Sequence, residues 1–92
     1  MRVEENIYLC ELFDAYGELL SKGQKEILSI YLNDDLTLSE IAENMNISRQ
    51  AARDSISKAE TNLRLYEEKL SFLKKIKNYE KEIEDLKIKL KK

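Results

Sequence analysis

The sequence predicts an all-α fold in which a small bundle of helices is followed by a long C-terminal amphipathic helix or helical hairpin. The chain of 92 residues contains no proline and only two glycines, so few residues interrupt helices. Apolar residues recur three and four positions apart along most of the chain, which is the spacing of one helical face. Between these stretches, serine, threonine, asparagine and aspartate occupy positions that favour helix starts and turns.

Two helices are predicted before residue 33. The first spans about residues 5–20, and the second begins at Ser21, which is placed to act as an N-cap with Gln24 completing a capping box. Gly17 falls inside the first helix, where glycine costs about 1 kcal/mol relative to alanine, and it indicates either the close approach of another helix or fraying of this one. The predicted apolar faces consist of Leu9, Leu12, Phe13, Tyr16, Leu20, Ile27, Leu28, Tyr31 and Leu32.

A short third helix is predicted after the polar segment NDDLT at residues 33–37. Thr37 and Glu40 have the spacing of a capping box at its start. The segment NMNI then leads to Ser48, which is placed to cap a fourth helix, and Ile47 is expected to turn inward and fix the turn. The other side chains expected to face inward are Leu38, Ile41, Ala42, Met45, Ala52 and Ile56.

The third helix and the start of the fourth match the layout of a helix-turn-helix. In that motif the N-terminal residues of the second helix enter the major groove of DNA, where Arg suits guanine edges or phosphates and Gln suits adenine edges. A helical hairpin with a charged outer face is the alternative, but the placement of Ala, Ile and Ser-Arg-Gln together favours the helix-turn-helix. The predicted nucleic-acid contacts are Ser48, Arg49, Gln50, Arg53, Ser57, Lys58 and Arg64.

Residues 48–92 contain no glycine or proline and carry a coiled-coil-like apolar stripe. One residue is missing from the stripe between Leu73 and Ile76, which predicts overwinding or a bend near residues 74–78 and leaves one helix or two equally open. A single helix of this length would span about 68 Å, more than the bundle can cover, so the tail is expected to fold back or to join another chain. The residues expected in a homodimer are Tyr66, Leu70, Leu73, Ile76, Tyr79, Ile83, Leu86 and Leu90.

Charge is divided unevenly along the chain. Residues 1–47 carry three basic and ten acidic side chains, a net of −7, whereas residues 48–92 carry thirteen and eight, a net of +5. The basic half could bind phosphates, or the two halves could attract each other. Together with the helical pattern, this division predicts a helix-turn-helix domain over residues 1–64 and an oligomerising helical extension over residues 65–92.

Composition disfavours several functional classes. The chain has a single cysteine, Cys10, and no histidine, so neither an internal disulfide nor a familiar thiol catalytic pair is available. No clustered ligands indicate a metal site, no glycine-rich loop indicates a phosphate cradle, and no apolar run is long enough to cross a membrane. We therefore expect a cytoplasmic protein that is not an enzyme and uses no cofactor and no small-molecule substrate.

The segment LSKGQKEILSIYLNDDLTLSEIAENMNISRQAARDSISKAE resembles the fourth-region helix-turn-helix of bacterial sigma factors. With LFDAYGELLS upstream, about residues 7–72 resemble the YlxM family, which is encoded beside the signal recognition particle genes in many bacteria. The resemblance implies a sigma-region-4-like fold and a regulatory or particle-associated role, although Asp54 adds a negative charge that departs from the family pattern. By position, the resemblance makes these the recognition residues: Ser48, Arg49, Gln50 and Arg53.

Three functions follow from these observations. A DNA-binding regulator would be a homodimer that presents two recognition helices to operator half-sites. An interaction module would instead contact the particle's RNA or its GTPase through the basic half of the chain. A structural adaptor would use only the stripe over residues 56–90. Nucleic-acid binding is the leading hypothesis, and the link to the particle follows from the resemblance alone.

Overall fold

The computed structural model describes residues 3–91, with side chains from Asn6 onward. Met1, Arg2 and Lys92, at the outer ends of the two predicted domains, lie outside the described residues. All regular secondary structure within residues 3–91 is helical, which confirms the all-α prediction. The elements are α1 (Val3–Tyr16), a 3-10 helix (Gly17–Leu19), α2 (Lys22–Asn33), α3 (Leu38–Asn44), α4 (Arg49–Leu70) and α5 (Phe72–Leu90).

The first α-helix ends before the predicted boundary at residue 20. It stops at Tyr16, and the 3-10 helix over Gly17–Leu19 leads into the turn before α2. Gly17 is buried, and a Cβ atom at this position would lie 3.3 Å from the ring of Phe13. The close neighbour at Gly17 is therefore the Phe13 side chain of the adjoining helix α1, four residues earlier in the chain.

Polar side chains cap α2 and α3 where the sequence predicted. Ser21 Oγ accepts a hydrogen bond from the backbone N–H of Gln24 (3.3 Å), but the Gln24 side-chain oxygen accepts from Asn62 Nδ2 (3.2 Å) and so joins α2 to α4. In α3 both halves of the capping box form. The N–H of Glu40 donates to Thr37 Oγ1 (3.1 Å), and the N–H of Thr37 donates to Glu40 Oε1 (3.0 Å). The hydrogen bonds with Thr37 lower the pKa of Glu40.

The core contains apolar side chains from all five helices. α4 is its central element because it packs against α1, α2 and α3. Fully burying a large apolar side chain contributes about 1.5–3 kcal/mol, so these contacts supply most of the favourable free energy of folding. The buried residues are Leu9, Leu12, Tyr16, Leu20, Ile27, Leu28, Ile41, Ala42, Ala52, Ile56, Ala59, Leu63 and Leu73.

A group of hydrogen bonds around Tyr16 and Glu67, which we call the Tyr16–Glu67 clamp, separates α4 from α5. Between these helices Ser71 has left-handed dihedrals, with φ 54° and ψ 27°. The Tyr16 hydroxyl donates to Glu67 Oε1 (2.5 Å) and accepts from the N–H of Phe72 (3.0 Å). The Glu67 carboxylate also accepts from the next two backbone N–H groups, at 3.0 and 3.2 Å. A carboxylate of α4 thus caps the start of α5, where the helix dipole favours negative charge.

The clamp shifts the pKa values of both side chains in opposite directions. Burial, reinforced by the hydrogen bond to Glu67, raises the pKa of the Tyr16 phenol. Burial alone would raise the pKa of Glu67, but the hydrogen bonds that it accepts and the positive charge of Lys77 together outweigh burial and lower that pKa. The folded state therefore favours the neutral phenol and the ionised carboxylate.

Residues 48–91 contain two helices, so the question that the sequence left open is answered. The break lies at Ser71, ahead of the predicted bend at residues 74–78, because the clamp caps a new helix there. Lys77 Nζ lies 3.0 Å from Glu11 Oε2 and helps to hold the first turns of α5 against α1. The rest of α5 is exposed, and the molecule is elongated, with dimensions of 58 × 26 × 19 Å.

Two residues of the predicted homodimer interface make contacts within the monomer. Leu73 is only 8% exposed and completes the core. The Tyr66 ring centroid lies 6.1 Å from that of Tyr16, and the Tyr66 hydroxyl donates to the carbonyl of Leu19 (3.2 Å). Leu73 is therefore not available to a second chain, and Tyr66 is half-buried against its own bundle. The other predicted interface residues remain exposed: Leu70, Ile76, Tyr79, Ile83, Leu86 and Leu90.

Replacing Tyr16→Phe should destabilise the protein while keeping the buried ring. The N–H of Phe72 would lose its acceptor and Glu67 would lose a donor, so we expect the free energy of unfolding to fall by about 1–3 kcal/mol. Urea denaturation followed by circular dichroism measures this change. Tyr79→Phe, which removes a hydroxyl from a side chain that is 61% exposed, should change stability by less than about 0.5 kcal/mol. Equal effects of the two substitutions would contradict the role of the clamp.

Acid should weaken the clamp through Glu67. Its pKa in the folded state is below the unfolded value of about 4.3, so its contribution to stability is present above that value and is lost as pH falls through the folded-state pKa. The difference in unfolding free energy between the natural protein and Glu67→Gln should therefore be largest at neutral pH and shrink on acidification. Urea titrations between neutral and acidic pH measure it, and a difference that is independent of pH would refute the assignment.

Candidate nucleic-acid interface

The turn between α3 and α4 is closed by Asn46 in a left-handed conformation. Its φ is 57°, a region that asparagine enters more readily than most residues. The N–H of Asn46 donates to the carbonyl of Glu43 (3.2 Å), and the N–H of Ile47 donates to the carbonyl of Ala42 (2.9 Å). These two bonds form a Schellman motif, which satisfies carbonyls at the end of α3 and redirects the chain toward α4.

Ile47 does not turn inward, so that prediction is wrong. Ile47 is 38% exposed, although its backbone N–H is bound to the end of α3 by the Schellman motif. The inner sides of α3 and α4 are formed by Ala42 and Ala52, which are 5% and 0% exposed, together with Ile41 and Ile56. Small side chains at this contact allow the two backbones to approach closely.

Ser48 begins α4 as predicted. Its backbone is extended, and its Oγ accepts a hydrogen bond from the N–H of Ala51 (3.0 Å). This bond satisfies one of the free N–H groups at the helix start. Ala52 is buried on the inner side of the same turn, so the exposed side chains of this turn point away from the core. They lie beside the partial positive charge of the helix N-terminus.

Three exposed side chains share the first turns of α4 and line a shallow groove there: Arg49, Gln50 and Arg53. Gln50 Nε2 donates to Asp54 Oδ1 at 2.9 Å. Asp54 therefore holds the amide in place and adds a negative charge beside the two guanidinium groups. The surface combines the long donors of two arginines with the amide oxygen of Gln50 and the carboxylate of Asp54 as acceptors. This combination suits the polar edges of bases in a groove and attracts phosphates less than arginine alone.

The remaining predicted contacts lie further along α4. Ser57 adjoins the first-turn group, since it lines a concavity together with Arg53. Ser57 and Lys58 lie beside Gln24 and Asn62 at another concavity. Arg64 lies fifteen residues after the start of α4, or about 22 Å along the helix. Its guanidinium carbon is 5.7 Å from the centroid of the Tyr8 ring, within range of a cation–π interaction. The structure thus places Arg64 in a contact with α1 and apart from the first-turn group.

Two structural features around this surface were not anticipated from the sequence. Asn46 positions α4 through its left-handed conformation, and the signal for it was an asparagine just past the end of a short helix, a common site for that conformation. Two cationic side chains lie near the ring of Tyr8, since Lys77 Nζ is 5.8 Å and the guanidinium carbon of Arg64 is 5.7 Å from the ring centroid. That cluster joins residues far apart in sequence, so the pattern of residues carried no signal for it.

No helix within residues 3–91 has both the length and the apolar character needed to span a membrane. Among residues 6–91, whose side chains the structure describes, no three side chains of the types that ligate metals come close enough to hold an ion. The groups presented at the start of α4 are guanidinium, amide, hydroxyl and carboxylate, which make hydrogen bonds and ion pairs.

Removing the cap of α4 should destabilise the helix-turn-helix. Ser48→Ala leaves the Ala51 N–H without its acceptor, and loss of such a cap costs about 0.5–2 kcal/mol of stability. Thermal and urea denaturation measure the loss. Ser57→Ala is the matched control in the interior of the same helix, where alanine has the higher propensity, and it should leave stability unchanged or raise it by up to about 0.5 kcal/mol. If the two variants unfold alike, Ser48 does not fix the start of α4.

Comparison with known proteins agrees with this architecture. Residues 3–92 match the model of the UPF0122 family, described as "Putative helix-turn-helix protein, YlxM / p13 like". A UPF0122 protein of Fusobacterium nucleatum is 45% identical over 87 residues, covering 95% of this chain and 84% of that protein. One from Clostridium kluyveri is 46% identical over 78 residues, covering 85% and 70%, and one from Listeria welshimeri is 48% identical over 79 residues, covering 86% and 72%.

The match spans α1 to α5, so it covers the bundle, the α3–α4 turn and the C-terminal helix together. The family description names a structural motif and no catalytic activity. The resemblance to YlxM that the sequence motifs indicated is therefore confirmed, and the chain belongs to the UPF0122 family of YlxM- and p13-like helix-turn-helix proteins.

Proposed function

We propose that this protein binds duplex DNA through the first turns of α4 and acts as a regulatory protein. The observation that carries the proposal is the joint exposure of Arg49, Gln50 and Arg53 at the capped start of the second helix of a helix-turn-helix. In such motifs these positions face base edges in the major groove. Arginine can bind guanine with two hydrogen bonds, and glutamine can bind adenine in the same way.

The geometry of α4 supports this role. The inner side of the helix is occupied by Ala52 and Ile56, which are buried, so the outer side is free to approach a ligand without disturbing the core. The helix N-terminus carries a partial positive charge that attracts phosphates.

The distribution of charge makes the proposed affinity modest and sensitive to salt. Residues 1–47 have a net charge of −7, from three basic and ten acidic side chains, and they repel the duplex wherever they come within the screening length of about 8 Å at physiological salt. Asp54 lies next to the proposed contact and adds to this repulsion. Binding should therefore depend on hydrogen bonds from a few residues. Added salt should lower the affinity, and the slope of this dependence increases with the number of phosphates that the protein neutralises.

Binding to the RNA of the signal recognition particle, which the resemblance to the YlxM family implies, is the competing proposal. Structured RNA is recognised mainly by shape and by its backbone, so it would depend on the basic side chains of α4 and α5 generally. Recognition of DNA by α4 would depend on the first turn. The two proposals therefore differ in which substitutions weaken binding.

Arg49→Ala and Arg53→Ala should each weaken binding to a duplex by about 1–3 kcal/mol. The duplex is first enriched from a random-sequence pool by the natural protein, and affinities are then measured by fluorescence anisotropy at two salt concentrations. Lys81→Ala is the matched control, because it also removes one exposed positive charge but lies on α5. It should change the affinity by less than about 0.5 kcal/mol.

The same measurements with a structured RNA hairpin distinguish the alternatives. Tighter binding to the hairpin than to the duplex, with similar losses for Arg53→Ala and Lys81→Ala, would replace the DNA proposal by the RNA proposal. Failure to enrich any duplex would also overturn the DNA proposal. Circular dichroism confirms that each variant keeps its helical content.

A further inference from the structure

The exposed face of α5 carries an apolar stripe with an uninterrupted coiled-coil period. The sequence alone showed an irregular gap between Leu73 and Ile76, but Leu73 belongs to the core and is not part of the stripe. From Phe72 onward the stripe recurs at gaps of 4, 3, 4, 3 and 4 residues. Its members are exposed to between 46% and 85%: Phe72, Ile76, Tyr79, Ile83, Leu86 and Leu90.

These gaps assign heptad positions to the helix. Ile76, Ile83 and Leu90 occupy positions a, and Phe72, Tyr79 and Leu86 occupy positions d. Isoleucine at position a with leucine at position d favours parallel two-stranded coiled coils, in which each side chain inserts between four residues of the partner helix, and Ile83 with Leu86 follows this rule. α5 has 19 residues, so the stripe runs along a helix about 28 Å long.

From Ile76 onward the stripe is free to contact a second chain because α5 uses a different side to pack on its own bundle, whereas Phe72 at its start also stacks on Tyr16, with ring centroids 6.2 Å apart. Leu73, buried in the core, and Lys77, paired with Glu11, hold α5 to the rest of the molecule. Neither residue occupies an a or d position. Contiguous exposed apolar faces are uncommon on monomeric proteins and mark interaction surfaces.

The charges beside the stripe are complementary to a second copy of α5 in parallel orientation. Positions g and e flank the stripe, and in a parallel pair each g residue faces the e residue five positions later on the partner helix. This places Lys75 opposite the Glu80 of the second copy, and Glu82 opposite the Lys87 of the second copy. Both pairs have opposite charges, and the two-fold symmetry of a dimer makes each pair occur twice.

The antiparallel arrangement brings like charges together. With the stripes fully overlapped and Ile83 beside the Tyr79 of the second copy, positions g face g and positions e face e. Lys75 would then face Lys89, while Glu80 and Glu82 would each face their own counterpart. Every charged pair that closes the seam is repulsive in this arrangement, so charge selects the parallel one.

We propose that two copies of this chain associate through α5 as a parallel, in-register two-stranded coiled coil. Its seam is the six-residue stripe, and the pairs Lys75–Glu80 and Glu82–Lys87 between copies set its direction. The proposal concerns how the chain assembles and does not depend on nucleic-acid binding. The particular sequence features that carry it are the heptad period and the alternation of charge beside it.

Two substitutions on opposite sides of α5 test the seam. Ile83 at position a and Ile88 at position f are 52% and 53% exposed in the monomer, so neither Ile83→Asp nor Ile88→Asp disturbs the core. Light scattering coupled to gel filtration should give twice the chain mass of 10.8 kDa for the natural protein and for Ile88→Asp. Ile83→Asp should weaken association by roughly tenfold or more, because it places a charge in the seam.

Charge reversal tests the direction of the helices. Lys87→Glu would face Glu82 in the parallel pair and should weaken association, and the double variant Glu82→Lys, Lys87→Glu should restore it. In the antiparallel arrangement Lys87 faces the buried Leu73 of the second copy, so its reversal should have little effect. Sedimentation equilibrium measures the association constants without nucleic acid.

A disulfide provides a second measure of direction. In a Cys10→Ser background, Leu90→Cys places a thiol at a seam position where the two copies meet only if the helices are parallel. Mild oxidation should then convert the protein to a covalent dimer on a non-reducing gel. A monomeric natural protein, equal masses for Ile83→Asp and the natural protein, or absence of the cross-link in a dimeric sample would each overturn the proposal. None of these outcomes depends on whether DNA is bound.

Discussion

Polar side chains determine where the helices of this protein begin and end. The chain has no proline and two glycines, and neither glycine adopts a positive φ within the described structure. The left-handed positions are taken by Asp35, Asn46 and Ser71, at a cost of roughly 1–2 kcal/mol each. Hydrogen bonds at the adjoining helix ends offset that cost. The placement of both proposed surfaces, the start of α4 and the free face of α5, follows from these polar ends.

The start of α4 and the break between α4 and α5 differ in how far apart in sequence the hydrogen-bonded residues lie. Ser48 and the N–H of Ala51 are three residues apart, so the start of α4 could be predicted from a short segment. The break at Ser71 depends on Tyr16 and Glu67, which are 51 residues apart. The irregular stripe near Leu73 indicated a break, but its position was fixed by a contact that no local pattern contains. Sequence reasoning therefore located the helix-turn-helix and misplaced the bend.

Similar reasoning explains which candidate site residues the sequence grouped correctly. Arg49, Gln50 and Arg53 share the first turns of one helix, so their common exposure follows from helical spacing alone. Arg64 belongs to the same helix, but its direction is set by Tyr8 on α1, a partner that the sequence pattern could not reveal. The basic half of the chain is thus divided between a free surface on α4 and contacts that hold it to the acidic half, such as Lys77 with Glu11.

The proposed coiled coil would affect the proposed DNA binding because a dimer would carry two copies of the DNA contact. One first turn of α4, opposed by a front half of net charge −7, offers few contacts and a correspondingly weak single site. Two copies joined through α5 would make the second contact intramolecular, which raises the apparent affinity without any new contact as long as the geometry lets both engage. Dimerisation through α5 would leave the first turns of α4 accessible, because the seam residues lie on α5 and do not include Arg49, Gln50 or Arg53. A weak reading surface and a separate dimerising helix are therefore compatible features of one small chain, and each can be altered without removing the other.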